Sequence, residues 1–193
     1  MPKITPESLL TLEAYARERA RFRARVIEHK KLRSIALGEH VTLQFEDELT
    51  VRYQIQEMLW IERIFEQDGI QEELDVYSPL VPDGRNFKAT MMLEFPDPEE
   101  RKRWLARLVD IEDRVWVQVD GHEKSWAVAD EDLDRETDDK TSSVHFLRFE
   151  LDEQAAEALK RGAALQVGVD HPMYQAAVNV PQAVRDALVK DLA

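Results

Sequence analysis

Hydrophobic and polar positions along this chain alternate between two periods, and a helical one that is apolar on two sides runs from Val51 to Glu66, VRYQIQEMLWIERIFE. At about 100° per residue, Val51, Ile55, Met58, Leu59, Ile61 and Phe65 share one broad arc, and Tyr53, Trp60 and Ile64 a second. A helix apolar on two sides is expected to be buried on two sides, so this segment is expected to lie centrally, with the rest of the chain packed around it. Arg52, Gln56, Arg63 and Gln67 form its polar strip, while Glu62 falls within the main apolar arc and Glu57 between the two arcs.

Upstream, Thr5-Pro6 reads as an N-cap and first-turn proline, and Leu9, Leu12, Tyr15, Ala16 and Ala20 continue a helix to about Leu32. Val41, Leu43 and Phe45 alternate with polar Thr42, Gln44 and Glu46 as a half-buried strand, and Thr50 reads as the N-cap of the central helix. Gly69 is expected to end that helix. A helical piece over 71–77 follows, then a loop from Ser78 to Asn86, which is expected to rim a pocket. Ala89, Met91, Leu93 and Phe95 mark a second strand, and Pro96 to Glu100 opens a helix with acids at its positive end.

Asp120-Gly121 is expected to make a two-residue type I′ hairpin turn, pairing Val119 with His122 and setting Val115 opposite Trp126. An acidic loop over 130–140 leads to a strand from Val144 on which His145, Leu147, Phe149 and Leu151 share a face. A helix over 152–161 stops at Gly162, two strands join across Asp170-His171-Pro172-Met173, and a short amphipathic helix follows Pro181. Strands joined by tight turns and interleaved with helices predict an α+β fold: a mainly antiparallel sheet covered by helices, with a long N-terminal helix. The domain expectation is a helical arm over residues 1–35 and one α+β domain over 36–193.

Composition narrows the chemistry. The 193 residues contain no cysteine, which removes disulfides, thiolate nucleophiles, iron–sulfur ligation and cysteine-type zinc sites. There is no apolar run long enough for a membrane span and no signal-peptide pattern, so a cytoplasmic protein is expected. The net charge of -13 opposes a phosphate backbone and makes nucleic-acid binding an unfavoured reading. That charge is polarised: Arg17 to Arg33 holds eight basic and two acidic residues, net +6, which leaves -19 on the remainder. The basic helix is therefore expected to lie against an acidic body, its own or that of a second copy in a homodimer.

Few positions offer recognisable chemistry. Glu57 and Glu62, carboxylates among apolar residues, need a cation, a proton or an ion-pair partner. The five histidines lack chelating spacing, so any metal centre would be assembled by the fold, from Glu57, Glu62, His145 and His171. His145 is the more notable because its strand face is otherwise apolar, whereas His171 before Pro172 reads as a turn residue. Asp130, Asp132 and Asp134 start like an EF-hand loop but meet Arg135 where glycine is required and Thr141 at the twelfth position, which excludes that motif. Serine nucleophile, P-loop and dinucleotide signatures are missing.

Read together, TVRYQIQEMLWIERIFE, IQEELDVYSPLVPDG, KATMMLEF, EDRVWVQVDGHE, DDKTSSVHFLRFEL and GVDHPMY resemble, from about residue 30 onward, a bacterial family of about this length defined only as a domain of unknown function. The resemblance implies genes placed beside iron–sulfur oxidoreductase and rubrerythrin-like genes, and hence a redox or oxidative-stress partner protein. It assigns no residue a role and no cofactor. The leading expectation is an accessory or binding protein using the surface around the central helix and the 78–86 loop, with Tyr53, Glu57, Glu62 and Arg148 as ligand-binding candidates. The competing expectation is a metal-dependent enzyme or sensor, with Tyr53 or Arg148 positioning substrate.

Overall fold

A computed structural model describes residues 4–129 and 140–193. Its helices are α1 (Leu12–Lys31), α2 (Glu48–Glu62), α3 (Gln67–Tyr77), α4 (Pro98–Leu105), α5 (Glu153–Lys160) and α6 (Gln182–Leu188). Its strands are β1 (Ser34–Leu37), β2 (Val41–Glu46), β3 (Asn86–Leu93), β4 (Val115–Val119), β5 (Lys124–Trp126), β6 (Val128–Ala129), β7 (Val144–Glu150), β8 (Leu165–His171) and β9 (Tyr174–Asn179). The fold is α+β, and among the described residues every strand pair is antiparallel, as the alternation predicts, but the strands form two sheets, ordered β1-β2-β3-β7-β6 and β5-β4-β8-β9. No helix among the described residues is long and apolar enough to cross a membrane.

The two sheets share one core. Leu43, Phe45, Phe87, Ala89, Met91, Leu147 and Phe149 from the first meet Val115, Val117, Leu165, Val167 and Val169 from the second, and α5 and α6 add Leu159 and Leu188. Beyond Trp126 the chain leaves the smaller sheet for the larger one, where Val128 and Ala129 pair with β7, and the Ala127 N–H donates to the Val115 carbonyl at the corner. Across from it, the Tyr174 hydroxyl donates to the Leu37 carbonyl at 2.5 Å and accepts from the His40 N–H at 3.1 Å, which ties β9 to the β1–β2 turn. A side chain on Gly38 would meet that hydroxyl, so the close approach requires glycine.

Two local expectations are corrected. The hairpin pairs Trp116 with Trp126 and Gln118 with Lys124, one residue away from the expected register. Only Gly121 has a positive φ, whereas a type I′ turn needs it at both central positions, so Asp120, Gly121 and His122 make a three-residue loop. Trp116 consequently points outward over Gly168, leaving no space for a Cβ there, with the Lys124 ammonium 3.9 Å from its ring centroid. At the amino end, Pro6–Ser8 is a separate 3₁₀ turn, and α1 starts at Leu12 with Thr11 as its cap.

The central helix is also corrected. It ends at Glu62 because Arg63 turns left-handed, at φ 57°, and donates to the Leu59 carbonyl. Ile61 and Phe65 are therefore exposed, and Gly69 lies inside α3, where Ile64 occupies the space a Cβ would need. Val51, Ile55 and Leu59 are buried with Ile4 and Leu74 in a second, smaller cluster. Tyr53 and Trp60 meet α1 through edge-on contacts with Phe22 and Tyr15. The molecule is thus organised around the paired sheets, and α1, α2 and α3 form a helical layer beside them.

Arg33 joins that layer to the rest. The turn that follows α1 delivers its guanidinium, 1% exposed, to the Phe45 carbonyl at 3.1 Å, the Glu46 carbonyl at 3.0 Å and the Ala187 carbonyl at 3.4 Å. It also bonds the Asp191 carboxylate and lies 3.5 Å from that of Asp47, the N-cap of α2, which His29 contacts at 2.6 Å. Burial would raise the Asp47 carboxyl, yet Arg33, the Thr50 N–H and His29 together hold it below the usual range. For Asp191 burial wins, pushing it up to about 6 against the pull of Arg33.

Arg33→Met strands both carboxylates and is expected to cost about 3–5 kcal/mol, read as a lower urea midpoint, with Asp191→Asn in the same chain restoring part of the loss. The two acids have opposite pH signatures. A raised Asp191 holds its proton longer in the native state, so its contribution is full below the unfolded value of 3.8 and is lost as pH rises towards about 6. The lowered Asp47 contributes above 3.8 and loses that contribution on further acidification. Asp191→Asn is accordingly expected to gain stability relative to the unaltered protein between pH 4 and pH 6, by on the order of 3 kcal/mol, in urea titrations across that range.

Candidate functional site

The outer face of the larger sheet carries the side chains that alternate away from the core. Three cross-strand rows result: Thr42, Met92 and Val144; Gln44, Thr90 and Phe146; Glu46, Lys88 and Arg148. Helix α2, the last turns of α1 and α3, and the 3₁₀ turn Ser78–Leu80 stand over this face without filling it. A cavity of about 290 Å³ remains, lined by Lys30, Gln44, Glu46, Thr50, Val51, Gln54, Tyr77, Leu80, Thr90, Met92, Val144 and Phe146.

Its wall is divided by chemistry. Val51, Leu80, Met92, Val144 and Phe146 supply an apolar side, while Glu46, Thr90, Gln54 and Lys30 supply polar groups. Glu46 is 9% exposed, and its carboxylate accepts from the Thr90 hydroxyl at 2.8 Å. The Gln44 amide is engaged by Ser34 and by the carbonyls of Arg33 and Phe45, and the Thr50 hydroxyl caps α2 through Asp47. Glu46 is therefore the buried acidic group that the cavity has available for a ligand, on a strand end held by Arg33.

The candidates drawn from sequence are scattered. Glu57 accepts from the Tyr15 hydroxyl at 2.5 Å and from Arg19 at 2.9 and 2.8 Å, and the Arg19 bonds keep its carboxyl below the usual range despite burial. This is an intramolecular ion pair between α1 and α2. Tyr53, its phenol pushed up by burial and by the Glu57 charge, packs on Phe22 of α1. Glu62 is exposed at the end of α2, where its charge adds to the burial that raises Glu73. Arg148 bonds Glu150 on the outer sheet face.

His145 is fully buried on the core side of β7. Its Nε2 lies 3.0 Å from the Ser142 carbonyl and 2.8 Å from the Thr141 hydroxyl, and Nδ1 lies 3.6 Å from a carboxylate oxygen of Glu112, itself buried. The Thr141 hydroxyl donates to the other Glu112 oxygen, so Nε2 bears a proton and the group pins the start of β7. His171 donates from Nε2 to the Val109 carbonyl and accepts the Met173 N–H at Nδ1, the turn role expected of it. Among the described residues, no three or more His, Asp and Glu side chains form a group that could hold a metal ion. The acidic stretch containing Asp130, Asp132 and Asp134 lies outside the described residues.

Sequence reasoning missed Arg33, Glu46, Thr90, Glu112 and Asp191. Glu46 and Thr90 have a recoverable signal: both are polar positions on strands expected to be half-exposed, and the length of α1 and α2 offered a layer that could cover them.

A crystal structure described as a novel protein of unknown function from Burkholderia pseudomallei K96243 is 54% identical to this chain, superposes with a TM-score of 0.95, and covers 100% of both chains. No curated protein matches. The family described as "Protein of unknown function (DUF3501)" matches residues 3–192, and the chain belongs to that family.

Proposed function

We propose that this is an accessory binding protein whose ligand is a small molecule held in the cavity between the outer face of the larger sheet and helices α1, α2 and α3. The observation that carries the reading is a buried carboxylate, Glu46, set beside an apolar wall in a cavity near the lower end of the roughly 300–1,000 Å³ usual for small-molecule sites. A sheet face covered only to fill a core would be closed by apolar contact throughout. The cavity also sits where the expected surface lies, at α2 and the start of the 78–86 loop.

A second reading, docking of an acidic redox-partner protein, is favoured by α1. Arg21, Arg23 and Arg25 are exposed and form no ion pair among the described residues, in a chain with a net charge of -13. Such docking would weaken steeply with salt.

Small aromatic probes, indole and p-cresol, are expected to bind the cavity in ligand-observed NMR. Val144→Trp, which fills the apolar side, is expected to abolish their saturation transfer while leaving the unfolding temperature within a few degrees. Equal saturation transfer in the variant would place the probes elsewhere and overturn the cavity reading.

A further inference from the structure

Resting on the ligand-binding reading above, we propose that the cavity takes a small zwitterion of the α-amino-acid type with an apolar side chain. Two opposite charges line the cavity, Glu46 from the end of β2 and Lys30 from the last turn of α1, and they form no ion pair with each other. Neither is matched by another charge of the cavity wall: the Glu46 carboxylate accepts the neutral Thr90 hydroxyl, and among the described residues no carboxylate lies within 4.0 Å of the Lys30 ammonium.

Each charge excludes one simple ligand class. An anion gains from Lys30 but is repelled by the buried carboxylate, and a cation gains from Glu46 but is repelled by the ammonium. A purely apolar guest would strip water from Glu46 without replacing its hydrogen bonds, which costs free energy. A molecule carrying both an ammonium and a carboxylate satisfies the two together, with charge-assisted bonds to Glu46 and Lys30 respectively. Met92, Val144 and Phe146 are then left to cover an apolar side chain.

Selectivity for such a ligand depends on Glu46 being fixed. Arg33 bonds its backbone carbonyl at 3.0 Å and Thr90 its carboxylate at 2.8 Å, so little side-chain freedom remains to be lost on binding.

The test is calorimetric titration of the full chain with L-leucine and L-phenylalanine, and with N-acetyl-L-phenylalanine and L-phenylalaninamide, which lack the ammonium and the carboxylate respectively. At least one free amino acid is expected to bind, with each blocked form weaker by tenfold or more. Glu46→Gln is expected to weaken the free amino acid at least tenfold while leaving the N-acetyl form unchanged. Lys30→Met, on a half-exposed helical position, is expected to remove the penalty for the amide. Blocked and free forms binding equally, or no free amino acid binding at millimolar concentration, overturns the proposal. If indole still binds and Val144→Trp still abolishes it, the ligand class alone fails; if indole does not bind either, the cavity reading fails with it.

Discussion

A guanidinium buried to 1% exposure is the constraint on which the arrangement of this protein depends. An unpaired charge there would cost several kcal/mol, so Arg33 requires its partners to be in place. Those partners come from three places: the end of β2, the N-cap of α2, and α6 with the segment after it. One side chain thereby fixes where α1 ends, where α2 begins and where the carboxyl-terminal residues lie. Apolar packing alone would leave the angle between the helical layer and the sheets free to vary, because dispersion and burial are non-directional.

The same cradle explains how the cavity over the outer sheet face survives. Arg33 holds the backbone of Phe45 and Glu46, and the Asp47–Thr50 capping box starts α2 immediately afterwards. The helix therefore leaves the strand at a set angle. Side chains on the outer sheet face cannot draw α2 closer without breaking those bonds, and the space over Thr90, Met92 and Phe146 stays open. A separate ion pair, Glu57 with Arg19, holds α1 against α2 on the far side of the layer.

Much of the fold was legible in the pattern. Period-two alternation located β2, β3, β4, β7, β8 and β9, because their inward residues, such as Leu43 and Met91, are apolar apart from His145 and His171 near strand ends. The exact ends of elements were less legible, since they depend on single backbone conformations: Arg63 turning left-handed ended α2 before Phe65, and Asp120 keeping a negative φ shifted the hairpin by one residue. The site was the least legible part. Glu57 drew notice because it stands among apolar residues on its own helix, but its partner Arg19 is 38 positions away and invisible to local spacing. Glu46 drew none, because a polar residue alternating with apolar ones reads as solvent-facing until a helical layer is known to cover it. Local patterns report which residues turn inward within an element, and the cavity is a product of how elements stack.

The cradle also sets an order of events during synthesis. Arg33 is made early, whereas the carboxylate it binds belongs to a residue 158 positions later. While the ribosome is producing the intervening strands, Arg33 has Asp47 and the β2 carbonyls as partners but lacks the Asp191 carboxylate, and α1 is held to α2 through Glu57. The helical layer is secured against the sheets only after Asp191 has emerged, so an elongation arrest before that residue leaves a nascent chain with its cavity roof unfastened.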